Sequence, residues 1–264
     1  MIRTNLFDPT DSRKIIRRSG RYALLEFERD ISVSPHTAET AYFASKMNVR
    51  KRQVIATLNN DGGVILQSGA MQMIAGDIRV ATNIRGAGDL MKKLIGGKAT
   101  GETAVKPRYE GQGLLVLEPT YRYILFEDLS DWGGNMVIED GMFLACDDTL
   151  DIKVSARSTL SSAVLGNEGL FNTMLTGSGV AVLESPVPAE ELFIVDLKDD
   201  TVKIDGNMAI AWSNTLEFTV ERTTKTLIGS AASGEGFVNV FRGTGRLLIA
   251  PVASNPGISV PDKK

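Results

Sequence analysis

Three patterns in this 264-residue chain have residue types that could do chemistry. The first is Gly111-Gln112-Gly113, which opens the run Gly111–Pro119 (GQGLLVLEP) as a phosphate-cradling loop would. Such a loop needs Gly-x-Gly-x-x-Gly between a strand and a helix, so that helix amides meet the pyrophosphate. Here position 116 is Val, and strand-forming sequence follows, so the nucleotide reading lacks two of its parts. The second is Asp147-Asp148-Thr149-Leu150-Asp151, whose spacing puts Asp147 and Asp151 on one strand face. With a loop they could ligate Ca²⁺ or Mg²⁺; the competing reading is a solvated strand face. The third is Asn48–Gln53 (NVRKRQ), where Arg50, Lys51 and Arg52 could contact phosphates, or form a charged edge strand or turn.

The chain has one cysteine, Cys146, and one histidine, His36. Zinc hydrolase motifs, CxxC redox motifs and Cys/His catalysis therefore lack parts unless these two residues meet. Cys146 sits in an apolar strand pattern, where a buried thiol behaves as a small hydrophobe. No catalytic residue, cofactor or metal ligand is assigned, and the expectation is a protein that is not an enzyme.

The elements that would carry these residues repeat. Gly111-x-Gly113 recurs as Gly177-x-Gly179 and Gly243-x-Gly245, spaced by 66 residues both times. A proline closes each following strand, at Pro119, Pro186 and Pro251. A second block obeys the same offset: Ile138, Met142, Ala145, Thr149, Leu150 and Val154 fall on Ile204, Met208, Ala211, Thr215, Leu216 and Val220. A weaker third copy spans Val64–Val80, and Trp212 is the counterpart of Cys146. Ser213, Asn214 and Glu217 replace the acidic cluster, which is therefore no general property of the fold. A loop copied at every equivalent place is better read as a turn that tolerates no Cβ than as a catalytic device. Glu102 and Glu168 also share the offset, with Glu235 one residue off, and read as inter-unit hydrogen-bond acceptors.

Short alternating strands between Gly, Asn and Asp turns predict an all-β fold of three tandem units, about residues 52–118, 119–185 and 186–252. Together they form one compact domain over 45–252. The helical exception is Asp89–Gly97, where Asp89 caps and glycine ends about two turns. Residues 1–44 lie outside the repeats: the first twenty read as a solvated charged arm, and Tyr22–Glu28 as a strand able to pair with the edge of the first unit. Residues 253–264 read as a loose tail.

A net charge of −3 and a pI near 5.4 argue against a broad nucleic-acid or anionic-membrane surface. No apolar run reaches the length of a membrane span, and the first residues have no signal-peptide core or acid-poor presequence character. The expected location is the cytoplasm.

The run Ser233–Leu247 (SGEGFVNVFRGTGRL) resembles the closing signature of the altered-inheritance-of-mitochondria protein twenty-four family. Leu90–Gly97 followed by Gly101-Glu102, and Asn167–Phe171 before the middle Gly-x-Gly, resemble its earlier repeats, so the resemblance covers about residues 45–252. That family resembles the superfamily of the tryptophan RNA-binding attenuator protein, with β-sandwich or short double-stranded β-helix units assembled edge to edge. The resemblance implies three such units per chain and three chains in a pseudo-ninefold ring; the gapless repeat and the lack of catalytic parts make the expected function a non-enzymatic scaffold or interaction module. A nucleic-acid or small-ligand binding ring is the alternative, by analogy of fold alone.

Overall fold

The computed structural model describes residues 3–81, 106–156, 171–206, 208–222 and 237–252. The chain is all-β apart from one α-helix and two short 3-10 turns among these residues. It opens with three antiparallel strands, β1 (Arg13–Ser19), β2 (Tyr22–Phe27) and β3 (Lys51–Asn59), with helix α1 (Ala38–Lys46) between the last two. Arg13–Ser19 is thus no free arm. Its charged side chains face outward while its backbone pairs with β2, and Leu6 and Phe7 pack on Leu25 and Ile55 behind it. The N-terminal strands thus extend the sheet on one side of β3, and Leu6 and Phe7 cover one of its faces.

Next come β4 (Val64–Leu66), β5 (Met71–Ala81) and β6 (Arg108–Leu117). The middle of the chain forms β7 (Tyr123–Asp128), β8 (Asn135–Ile138), β9 (Phe143–Asp147), β10 (Leu150–Ala156), β11 (Phe171–Gly177) and β12 (Val180–Ser185). The last strands are β13 (Phe193–Asp205), β14 (Ala209–Ser213), β15 (Glu217–Arg222) and β16 (Phe237–Ile249). One sheet runs β1-β2-β3-β6-β4-β9-β12-β7, with β5 also on β6; the other runs β10-β11-β8-β14-β16-β13, with β15 also on β16. Alternation within strands divides side chains between cores: Tyr22, Leu24, Ala56 and Leu115 enter one cluster while Leu25, Ile55 and Val116 enter another. Further clusters centre on Met136, Leu175 and Leu183, and on Trp212, Phe241 and Leu247.

The strand registers recur at the spacing of the sequence repeat. Asp151 pairs with Thr176 as Glu217 pairs with Arg242; Cys146 faces Ala181 as Trp212 faces Leu247; Phe143 faces Leu183 as Ala209 faces Ile249. A bulge interrupts β5, β9 and β14 at Gln72, Leu144 and Ile210, which stand at equivalent positions. The first and last Gly-x-Gly lie where a long strand changes partner, and the middle one lies where β11 gives way to β12. In the last copy, β16 pairs with β15 before it and with β14 after it. Close approach of backbones explains the residue type. Gly111 has φ +127°, and a Cβ there would sit 2.1 Å from the Asp77 carbonyl oxygen.

Several expectations change. Among the described residues the α-helix is Ala38–Lys46, which carries no side-chain cap at its start and which the sequence did not predict; the Asp89–Gly97 segment lies outside the described residues, as does 253–264. Asp147 ends β9 and Asp151 lies in β10, so a turn separates them and they do not share a strand face. Lys51-Arg52 opens β3, an interior strand paired with β2 and β6, not an edge.

Candidate functional site

The acidic run sits at the turn between β9 and β10, against the middle Gly-x-Gly. Thr149 Oγ1 donates to the Ser178 carbonyl at 2.6 Å, and the Val180 amide donates to Asp147 Oδ2 at 2.9 Å. Sixty-six residues on, Thr215 Oγ1 donates to the Thr244 carbonyl at 2.8 Å, and the Arg246 amide donates to Ser213 Oγ at 3.0 Å. This position needs an acceptor, which Ser supplies as well as Asp. The extra charge of Asp147 is used elsewhere: Arg21 Nε lies 3.1 Å from Oδ1. Arg21 also lies 3.3 Å from Asp61 and donates to the Gly62 carbonyl at 3.2 Å.

Asp148 is held the same way. Arg108 Nε donates to its Oδ2 at 2.8 Å, with Nη2 at 2.6 Å from that oxygen and 3.1 Å from Glu110. Burial alone would raise the Asp148 pKa, but the Gly63 amide and the Arg108 guanidinium outweigh it and hold the carboxyl below its usual range. The buried Tyr22 hydroxyl lies beside Asp147. Desolvation first, then the charge of Asp147, raises its pKa well above that of a free phenol. Two aspartates and two arginines thereby lock β9–β10 to the segments before β2 and β4 and to the start of β6. The charges are spent on one another, and among the described residues no three His, Cys, Asp or Glu side chains are placed to hold a metal.

The basic run is also neutralised. Glu26, 5% exposed, receives Arg50 Nη1 at 2.8 Å and Arg52 Nη2 at 2.9 Å, and Lys51 lies 2.6 Å from Asp30. Arg52 further donates to Asn48 Oδ1 at 2.7 Å and lies 4.5 Å from the centre of the Tyr123 ring. Its guanidinium is built into the fold.

His36 is exposed before α1, while Cys146 is fully buried in β9; burial and the neighbouring Asp147 push the thiol pKa well up. Gly111 and Gly113 lie within the β5–β6 ladder, and Gly177 and Gly243 in their own, with strand and not helix following. Gly179 and Gly245 close against Thr149 and Thr215. None forms a phosphate cradle. Glu102, Glu168 and Glu235 lie outside the described residues. A cleft of about 390 Å³ beside Gly111 is lined by Asn60, Asp77, Arg79, Arg108 and Glu110, with both signs of charge. Another, of about 380 Å³, lies under α1. Sequence reasoning missed Arg21, Arg108 and Glu26 as the organising charges. Only Glu26 left a sign, as a lone acid inside the apolar run Tyr22–Phe27.

Comparison with known proteins gives one consistent affiliation. The family described as mitochondrial biogenesis AIM24 matches residues 46–252. An uncharacterised protein of Streptococcus pyogenes serotype M6 is 28% identical over 200 residues, covering 73% of this chain and 78% of that protein. A crystal structure of a Streptococcus pyogenes protein, a structural genomics target, superposes with a TM-score of 0.56 at 26% identity, covering 78% of this chain and 90% of the other.

Proposed function

The chain belongs to the mitochondrial biogenesis AIM24 family, and from that premise we propose a non-catalytic structural protein that joins copies of itself edge to edge into a ring of three. One observation carries the reading. β5 and β13, near opposite ends of the chain, each present a strand edge with no second partner along its length among the described residues. Unpaired edges are aggregation hazards, and a ring removes them by closing on itself. The three-unit organisation and the attenuator-like kinship belong to the same proposal, supported by registers that recur at the sequence spacing. The groups with chemical potential favour a structural role as well, since Asp147, Asp148, Arg50, Lys51 and Arg52 are paired with partners in the fold.

A cytoplasmic setting fits a chain with a single cysteine, and no helix among the described residues is long and apolar enough to cross a membrane. Nucleic acid stays outside the proposal because the basic run is consumed by Glu26 and Asp30. Light scattering tests the assembly: a mass of three 28.5 kDa chains at micromolar concentration is expected, and a stable monomer refutes it.

A further inference from the structure

Two joints within the chain are alike. At the first, β4 pairs with β9 through Val64↔Asp147, Ile65↔Cys146 and Leu66↔Ala145. At the second, β8 pairs with β14 through Met136↔Ser213, Val137↔Trp212 and Ile138↔Ala211. Both joints have one strand type on one side and one on the other, and the chain contains a third example of each. The counterpart of β4 and β8 lies in β13. Ile204 faces Asn239 there as Ile138 faces Thr173, which sets Val202, Lys203 and Ile204 in the places of Met136, Val137 and Ile138. The counterpart of β9 and β14 lies in β5. Ile74 faces Leu115 as Cys146 faces Ala181 and Trp212 faces Leu247, just beyond the shared bulge. Met73, Ile74 and Ala75 therefore occupy the places of Ala145, Cys146 and Asp147.

Burial separates the satisfied joints from the unsatisfied one. β14 is buried throughout and β9 up to Asp147, whereas Met71 and Met73 of β5 are 37% and 39% exposed. The exposed residues are still apolar, as a surface awaiting a partner requires. Resting on the self-assembly reading above, we propose that Val202–Ile204 of one copy pairs antiparallel with Met73–Ala75 of the next, repeating the internal joint. Its register is Val202↔Ala75, Lys203↔Ile74 and Ile204↔Met73. The partner is a second copy of this chain because only the chain's own repeat supplies a matching edge on both sides. Lys203 stands where the internal joints have Ile65 and Val137. An exposed charge at the centre of an open edge discourages pairing with unrelated strands. The contact is head to tail, so an open chain of copies keeps one free edge at each end, β5 at one and β13 at the other, and a closed ring keeps none.

Paired cysteines read the register directly. In a Cys146→Ala background, Lys203→Cys with Ile74→Cys, and separately Val202→Cys with Ala75→Cys, place the two thiols on facing residues. Adjacent antiparallel pairs alternate in geometry, so at least one of the two suits a disulfide. Mild oxidation is expected to link chains covalently in at least one double variant, and not in the single variants or in Lys203→Cys with Ala75→Cys. Met73→Lys is expected to raise the concentration at which assemblies dissociate at least tenfold while leaving the β-sheet circular dichroism intact. Assembly by light scattering with neither facing pair linking, or with Met73→Lys assembling normally, overturns this joint and leaves the ring standing. A chain that stays monomeric before any substitution overturns both.

Discussion

The close strand approach at the Gly-x-Gly positions makes a comparison possible within one molecule. Gly111 and Gly243 have nearly the same backbone conformation, φ +127° and +117°. Alanine at either is therefore strained to a similar degree, by about 1–3 kcal/mol. Their surroundings differ. A Cβ at Gly111 would lie 2.1 Å from the Asp77 carbonyl oxygen, whereas at Gly243 the nearest atom is the Thr215 carbonyl oxygen at 3.6 Å, an ordinary contact. To accept Gly111→Ala, the Asp77 carbonyl must retreat by about 1 Å, which opens the ladder between β5 and β6 beside it. Losing one or two net hydrogen bonds adds about 1–3 kcal/mol. Gly111→Ala is thus expected to cost about 2 kcal/mol more than Gly243→Ala. With a urea slope near 2–3 kcal/mol/M, that is a midpoint lower by about 1 M, measured by circular dichroism at one fixed protein concentration. Equal midpoints for the two variants would refute steric approach as the reason for glycine and leave only the shared φ.

Four other outcomes follow from the described geometry. Arg52→Met leaves the Glu26 carboxylate, buried at 5% exposure, without the more buried of its two cations and is expected to cost about 3–5 kcal/mol in thermal or urea unfolding. Asp148 is held below its ordinary pKa, so its contribution is complete above the unfolded value near 4 and is lost as pH falls through the lower folded value. Asp148→Asn should therefore flatten the loss of stability on acidification below about pH 4. Glu127 has the opposite sign: burial raises its pKa against the hydrogen bond from Trp132, so its stabilising term is present at low pH and lost as pH rises. Glu127→Gln should raise the unfolding midpoint at pH 7 and leave it unchanged near pH 4. The buried, pKa-raised Cys146 should react with a thiol reagent at pH 8 at least about tenfold more slowly in the native protein than after denaturation.

The glycine turns and the alternating strands were legible because they are local: a residue type at fixed spacing reports a backbone that needs it. The equivalence of Cys146 and Trp212 was legible for the same reason, and both are buried opposite matching strands. The charged site was not. Arg21 and Asp147 meet only once the sheet that carries β2 and β9, with β3, β6 and β4 between them, has formed, and nothing in Gly20-Arg21-Tyr22 distinguishes that arginine from a solvated one. β1 was hidden by composition, since Arg13-Lys14-Ile15-Ile16-Arg17-Arg18-Ser19 is a strand with charges on its exposed side chains. Helix α1 was hidden by chemistry: Thr37 makes no side-chain cap bond, and Tyr42 and Phe43 face outward, so the helix carries neither a start signal nor an inward apolar stripe. The acidic run misled because Asp147 is an acceptor for a turn, a role that Ser213 fills without charge.

The meander of β1, β2 and β3 has a bearing on how the protein is made. A chain emerging from the ribosome delivers these strands before any residue of β6 exists, and each pairs with its neighbour in sequence. Contacts of short sequence separation form early. One edge of β3 is thus guarded by strands already synthesised, and each later strand of that sheet finds a growing surface to add to rather than a bare one. In order of manufacture, the β1–β2 hairpin is a wall against which the later strands of its sheet are laid.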